Sequence, residues 1–247
     1  MKKLLTIMLS VLMVFGLAAC GKDENDNNTD GPTDGSDVVE VTAKDDYASF
    51  MAADVDAEVE VLMYVQAHQA WWEKDGQGVM TLYGMDKDGG YFVYEAKMDK
   101  ETADSIKEGT LVKVTGVKAE WAGEVEIMDA TVEVLGETKT FEATDVTDVV
   151  ADSEKLATYM NQKIAMKGLE VVEVSVKDSE YDPDLYITCK LGDTEVNLCV
   201  ENYLTGPDTE VYMTGKDLTA GTIIDVEGFL YWYEGANPHV TSISVAK

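Results

Sequence analysis

The sequence repeats itself. Tyr47-Ala-Ser-Phe-Met51 returns as Leu156-Ala-Thr-Tyr-Met160, 109 residues on, and Gly109-Thr-Leu-Val-Lys-Val-Thr-Gly116 returns as Gly221-Thr-Ile-Ile-Asp-Val-Glu-Gly228, 112 residues on. Trp121-Ala-Gly123 and Tyr233-Glu-Gly235 follow these segments at matching distances, and Phe92-Val-Tyr-Glu95 is echoed by Leu198-Cys-Val-Glu201. A period this long exceeds the ~20–50 residues of a solenoid unit and has the size of a small domain. The chain therefore reads as two copies of one fold.

Each copy carries five strand signals, rich in Val, Ile, Thr and Tyr with alternating polarity and bounded by Gly, Asp and Asn. In the first copy they cover Glu58–Gln66, Gly78–Met85, Tyr91–Ala96, Thr110–Lys118 and Glu124–Leu135. In the second they cover Ile164–Val176, Leu185–Leu191, Thr194–Val200, Thr222–Tyr231 and Val240–Val245. Ala122-Gly123 and Glu234-Gly235 supply the residue that a tight hairpin turn needs. Between the third and fourth strands, Asp99 to Glu108 predicts a helix with an aspartate cap, ended by Gly109. Pro207–Leu218 takes the same place in the second copy with a weaker helical pattern. Ala43–Ala52 and Asp152–Gln162 each predict a short helix ahead of a first strand.

Five strands with a helix between the third and fourth is the order of the OB-fold, a small partly open barrel. The Gly-Thr-x-x-x-Val-x-Gly segment, followed by an aromatic and a turn glycine, resembles the fourth and fifth strands of bacterial OB-fold domains. The resemblance implies a mainly β protein with two tandem five-stranded OB-fold-like barrels, at residues 38–140 and 141–247. A two-sheet sandwich satisfies the same strand pattern and stays open as a competing arrangement.

The N-terminus reads as an address. Lys2 and Lys3 precede an apolar run from Leu4 to Phe15, too short to span a bilayer, and then small residues. Leu17-Ala18-Ala19-Cys20 resembles the lipobox of bacterial lipoproteins, which implies a signal peptide over residues 1–19 and a diacylglycerol on Cys20. An ordinary secretory signal with an incidental cysteine is the competing reading. Residues 20–37 contain almost nothing to bury and read as an acidic, flexible tether. Within them, Asp26-x-Asn28-x-Asp30-Gly31 and Asp37 match calcium-loop spacing, but no amphipathic helix precedes them. The implied location is the outer side of a cell membrane, held through lipidated Cys20.

Composition narrows the partners. The 48 acidic residues face 19 basic ones, every one a lysine, for a formal charge of −29. Phosphate backbones are bound by lysine and arginine that displace counterions. A polyanion without arginine is thus disfavoured as a nucleic-acid partner.

OB-folds bind ligands across their second and third strands and at the loops joining strands 1–2 and 4–5. Carried onto this sequence, those regions contain Trp71, Trp72 and Trp121 in the first copy, with His68 beside them. In the second they contain Tyr181, Trp232, Tyr233, Asn237 and His239. Aromatics so placed either grip a ligand or plug barrel ends and the contact between the copies. The acidic run Asp178–Asp184 reads as a solvated loop, with carboxylates presented to calcium as the alternative. A two-residue turn at Gly192-Asp193 sets Cys189 opposite Val196 and Cys199 opposite Tyr186, with Cys199 facing away from the apolar side. Export permits a disulfide, which this register opposes unless a bulge intervenes.

The sequence has no G-x-S-x-G, H-E-x-x-H, phosphate-binding glycine loop or C-x-x-C pair. The expectation is a non-enzymatic, lipid-anchored binding or adaptor protein, without cofactor or metal, recognising a protein, peptide or glycan. The alternatives are an OB-fold that binds single-stranded nucleic acid, and a surface hydrolase with paired carboxylates.

Overall fold

The computed structural model describes residues 42–177 and 183–246. The lipobox, the tether, the calcium-spaced residues Asp26 to Asp37, and Tyr181 lie outside the described residues.

The chain is mainly β, with its strands in two six-stranded sheets. In the first sheet, β1 (Glu58–His68), β2 (Trp72–Lys74), β3 (Gln77–Met85), β4 (Gly90–Lys97), β5 (Thr110–Trp121) and β6 (Glu124–Thr138) lie in the order β1-β5-β6-β4-β3-β2. Because β1 also pairs with β3, five of these strands close into a ring, and β2 hangs on its edge. The second sheet repeats the scheme with β7 (Thr144–Asp145), β8 (Lys163–Val176), β9 (Leu185–Leu191), β10 (Thr194–Val200), β11 (Ile223–Phe229) and β12 (His239–Val245). There β8 pairs with β11 to close the ring, and β7 is the added edge strand. In both rings the only parallel pair joins the third and fifth ring strands, β4 with β6 and β10 with β12. The sixth strand of each sheet is the departure from the expected five. Both edge strands are three residues or shorter, which leaves little periodicity to read.

The repeated glycines have a physical reason. Gly109 and Gly221 take φ of +87° and +85°, in the left-handed region that glycine enters without a Cβ clash. Gly116 and Gly228 sit where strands press together. A Cβ on Gly116 would lie 2.7 Å from the Met128 carbonyl oxygen, and one on Gly228 would lie 2.2 Å from that of His239. The motif is thus a turn residue and a strand-crossing residue at fixed separation.

Each ring encloses its own apolar core. Val59, Val61, Met63 and Val65 of β1 alternate inward and meet Leu82, Val93, Val112 and Ile127. Ile164, Met166, Ile187, Leu198, Ile224 and Val226 do the same in the second ring. Short helices cover the ring ends. Asp46 caps α1 (Tyr47–Ala52), Asp99 caps α2 (Lys100–Ser105) and Asp152 caps α3 (Ser153–Ala157), each accepting a backbone N–H three residues on. Asn202–Thr205 forms α4, and the weak pattern at Pro207–Leu218 becomes α5 (Glu210–Lys216), capped by Thr209. Gly215 weakens the helical signal of α5 but lets the helix approach β9: a Cβ there would lie 2.7 Å from Leu185 Cδ2.

The cysteine register holds: Cys189 pairs with Val196 and Cys199 with Tyr186. Both cysteines are buried, and no disulfide joins them. Cys199 faces away from the ring core, as expected, yet is covered because that side packs against the first ring. Both rings belong to one compact unit. Their contact is a third apolar cluster, in which Tyr83 and Phe92 meet Phe229, flanked by Leu204 and Tyr231. Among the described residues, no helix is long and apolar enough to cross a membrane.

Candidate functional site

A cavity of about 620 Å³ opens where the two rings meet. The first ring contributes Trp72 from β2, Tyr94 and Glu95 from β4, and Gln69 and Ala70 from the loop after β1. The second contributes Asp184, Glu201 and Tyr203. Trp72, Tyr94 and Tyr203 are 45%, 36% and 47% exposed, so all three present part of their faces to solvent in one cavity. Its walls are tied across the junction: the Ala70 N–H donates to the Tyr203 carbonyl at 3.2 Å, and Gln69 Nε2 donates to Glu201 Oε1 at 2.6 Å.

Local structure explains these positions. Asp75 and Gly76, at φ +53° and +79°, form the two-residue turn that folds β2 back on β3 and sets Trp72 opposite Val79. A register shift between Met80 and Leu82 accompanies Glu95 at φ +47°, and the Glu95 N–H donates to Thr81 Oγ1 at 3.2 Å. Lys74 pairs with Glu95 and lies 6.0 Å from the Trp72 ring centroid and 5.9 Å from that of Tyr94. Beyond Tyr94 and Glu95 the groove continues into a second cavity of about 310 Å³, between Lys74, Gln77, Lys97 and Asp129.

Beneath the groove lies a buried polar chain. The Tyr83 hydroxyl is 3.1 Å from Glu201 Oε2 and 2.7 Å from His239 Nδ1. A hydroxyl has one proton to give. With Glu201 as a carboxylate, Tyr83 donates to it, and His239 carries its proton on Nδ1 and donates to Tyr83. Burial pushes the His239 imidazole down to about 3, so it is neutral at physiological pH, and its ring stacks on Tyr231 at 4.3 Å. Burial also raises the Tyr83 phenol, with Glu201 adding to the effect.

The residues singled out from sequence divide between groove, packing and other surfaces. Trp72 lines the groove. Trp71 is half-buried, donates its indole N–H to the Met98 carbonyl at 3.1 Å, and packs on the first core. His68 ends β1, with Nδ1 2.9 Å from the Gln69 carbonyl oxygen. Trp232 is half-buried against Gly123, and His239 belongs to the buried chain. Trp121 and Tyr233 are 61% and 51% exposed at the tips of the two fourth-to-fifth-strand turns, away from the groove. Tyr233 and Asn237 line a separate cavity of about 320 Å³ in the second ring. Of the acidic run, Asp184 is described: its carboxylate accepts the Asn202 N–H at 2.9 Å. Among the described residues, no group of three or more His, Cys, Asp or Glu is placed to hold a metal ion.

Sequence reading missed Tyr94, Tyr203, Glu95 and Glu201. One signal was present: Glu95 and Glu201 are the same position of the repeat, and both line this cavity.

No protein-family model matches the chain, and no curated protein matches it. Solved structures do. A murine DNA-binding protein bound to double-stranded DNA aligns over 76% of this chain and 96% of its own, at 11% identity and a TM-score of 0.38. The p202 HIN1 domain in complex with a 12-mer of double-stranded DNA aligns over 78% and 94%, at 12% identity and a TM-score of 0.35. A replication protein A heterotrimer bound to single-stranded DNA aligns over 77% and 49%, at 11% identity and a TM-score of 0.35.

Two expectations are corrected here. The reading as a binder of protein, peptide or glycan, and the disfavouring of nucleic acid, stand against matched structures that are DNA complexes. The charge argument has a physical limit. Net charge belongs to the whole surface, whereas stacking on aromatic faces is local and acts on bases rather than phosphates.

Proposed function

We propose that the chain binds single-stranded nucleic acid through its bases, which stack on Trp72, Tyr94 and Tyr203 in the groove between the rings. The observation that carries this reading is three part-exposed aromatics on one cavity of about 620 Å³. A base on an aromatic face contributes about 1–3 kcal/mol and needs no particular sequence. The carboxylates of Glu95, Asp184 and Glu201 on the same walls accept hydrogen bonds from the exocyclic amines of bases and repel phosphates. The strand therefore enters base-first, with its backbone toward solvent.

We propose further that each ring is an OB-fold. The repeated pairing scheme, with a helix between the third and fourth ring strands, supports this, and β3 and β4 are then the ligand-facing second and third strands. The lipobox supports a location outside the cytoplasm, anchored through Cys20, and the protein acts by binding, with no catalytic step. Mass spectrometry of the membrane-extracted chain, with Cys20→Ala as control, tests the anchor: a diacylglycerol on Cys20 supports it, and an unmodified thiol overturns it.

The test of function is quenching of intrinsic tryptophan fluorescence by short single-stranded DNA and by the matching duplex. Saturable quenching by the single strand, weakened in Trp72→Ala and Tyr203→Ala, is the expected result. Binding unaffected by either substitution, or no binding at any ionic strength, overturns the reading.

A further inference from the structure

A second feature of the junction is independent of the groove. Glu124, the first residue of β6, is wholly buried. Its Oε2 accepts the backbone N–H of Trp232 at 2.7 Å, across 108 positions of chain, while its Oε1 has no hydrogen-bond partner. Around it the turn between β5 and β6 is gripped by the second half of the chain. The Glu234 N–H donates to the Ala122 carbonyl at 2.8 Å, Asn161 Nδ2 donates to the Val125 carbonyl at 2.8 Å, and the Val125 N–H meets Met160 Sδ at 3.4 Å. Gly123 lies so close under the Trp232 indole that a Cβ there would be 2.9 Å from Cδ1. Glu124 is a wholly buried carboxyl at the centre of these contacts.

We propose that Glu124 is a proton-operated latch: protonated, it closes the contact between the two rings, and ionised, it loosens that contact. A buried carboxylate needs several donors or a cation, and this site offers the Trp232 backbone N–H and the nearby Asn161 amide, with no cation. The ionisable groups facing it are Glu126 on its own strand, Tyr231 beyond β11, and Tyr47 on α1. None brings positive charge, and no described lysine forms an ion pair with Glu124. Burial, with Glu126 nearby, outweighs the hydrogen bonds that favour ionisation and pushes the Glu124 carboxyl up to about 8. The proton is therefore held at neutral pH. Its loss leaves a buried charge that water stabilises better than the junction does, so the turn at Ala122-Gly123 swings open.

Two measurements on the full chain test this. In a carbon-13 NMR titration of glutamate-labelled protein, the Glu124 carboxyl should titrate near pH 8, while exposed glutamates titrate near the usual ~4.3. Amide hydrogen exchange at Trp232, corrected for intrinsic base catalysis, should lose protection by up to about tenfold per pH unit between the ordinary carboxyl value of 4.5 and the midpoint near 8, and level off above it. In Glu124→Gln, which cannot ionise, protection should stay constant. A Glu124 midpoint in the ordinary carboxylate range overturns the proposal, as does parallel loss of protection in both proteins. Should Glu124→Gln fail to fold, the wild-type midpoint decides alone.

Discussion

The Tyr83 hydroxyl lies 2.7 Å from His239 Nδ1, although 156 positions separate the two residues in the chain. This hydrogen bond joins the third strand of the first sheet to the last strand of the second, and Tyr83 passes the connection on to Glu201 in the groove wall. The junction between the rings and the candidate site are thus one structure.

Tyr83→Phe keeps the ring, and with it the contacts to Phe92 and Phe229, but deletes the shared hydroxyl. His239 Nδ1 loses its partner in a buried place, which costs about 1–3 kcal/mol. Urea unfolding should show that loss of stability, and groove affinity should fall as Glu201 loses an anchor.

Two buried groups set opposite pH slopes. His239 binds its proton more weakly in the folded chain, about 3 against the usual 6.5, so its contribution is present above pH 6.5 and lost as pH falls toward 3. Glu124 binds its proton more tightly, about 8 against 4.5, so its contribution is present below 4.5 and lost as pH rises toward 8. Each slope is at most about 1.4 kcal/mol per pH unit. They cancel between the two unfolded values, giving a plateau from about pH 4.5 to 6.5 with falling stability on both sides. In Glu124→Gln, the alkaline fall should vanish and the plateau should become a slope that rises with pH. Chemical denaturation across this range checks both.

Much of the fold was legible from sequence because its signals were local. The aspartate caps at 46, 99 and 152 bind N–H groups three residues away, the 109/221 glycines answer a turn, and the 116/228 glycines answer the next strand in sequence. The groove was not legible for the opposite reason. Tyr94 and Tyr203 flank it from different rings, and in sequence each looks like an ordinary strand or loop aromatic. Trp72 was found for its exposed type of position, while Trp71 beside it packs inward. Which of two adjacent tryptophans faces solvent depends on a three-residue edge strand that periodicity does not reveal.

The repeated glycines make a paired prediction. Gly109→Ala and Gly221→Ala impose positive φ on a residue with a Cβ, at about 1–2 kcal/mol each. Gly228→Ala adds a contact of 2.2 Å with a backbone oxygen, which a flexible side chain cannot relieve. Its melting temperature should fall further than those of the two turn variants, in the range of overpacked core sites at about 1–3 kcal/mol.

The cysteines of the second ring should be inert while the chain is folded. Both are buried, and burial pushes the Cys189 thiol up to about 11, which withholds the reactive thiolate. In a Cys20→Ala background, a chromogenic disulfide reagent at pH 8 should label neither until denaturant is added. Rapid labelling in native buffer would contradict this.

The salt dependence of single-strand binding tests most directly the claim that bases, not phosphates, are held. Proteins that track the backbone lose affinity with salt, with a logarithmic slope of about −0.7 per phosphate neutralised. Here the walls carry Glu95, Asp184 and Glu201 in a chain of charge −29, so added salt screens repulsion. Equilibrium titrations of the full chain with a single-stranded oligonucleotide should give a slope of zero or above, and Trp72→Ala should lose about 1–3 kcal/mol at every salt concentration. A steep negative slope, or no binding at any salt concentration, would contradict base-first capture in the groove.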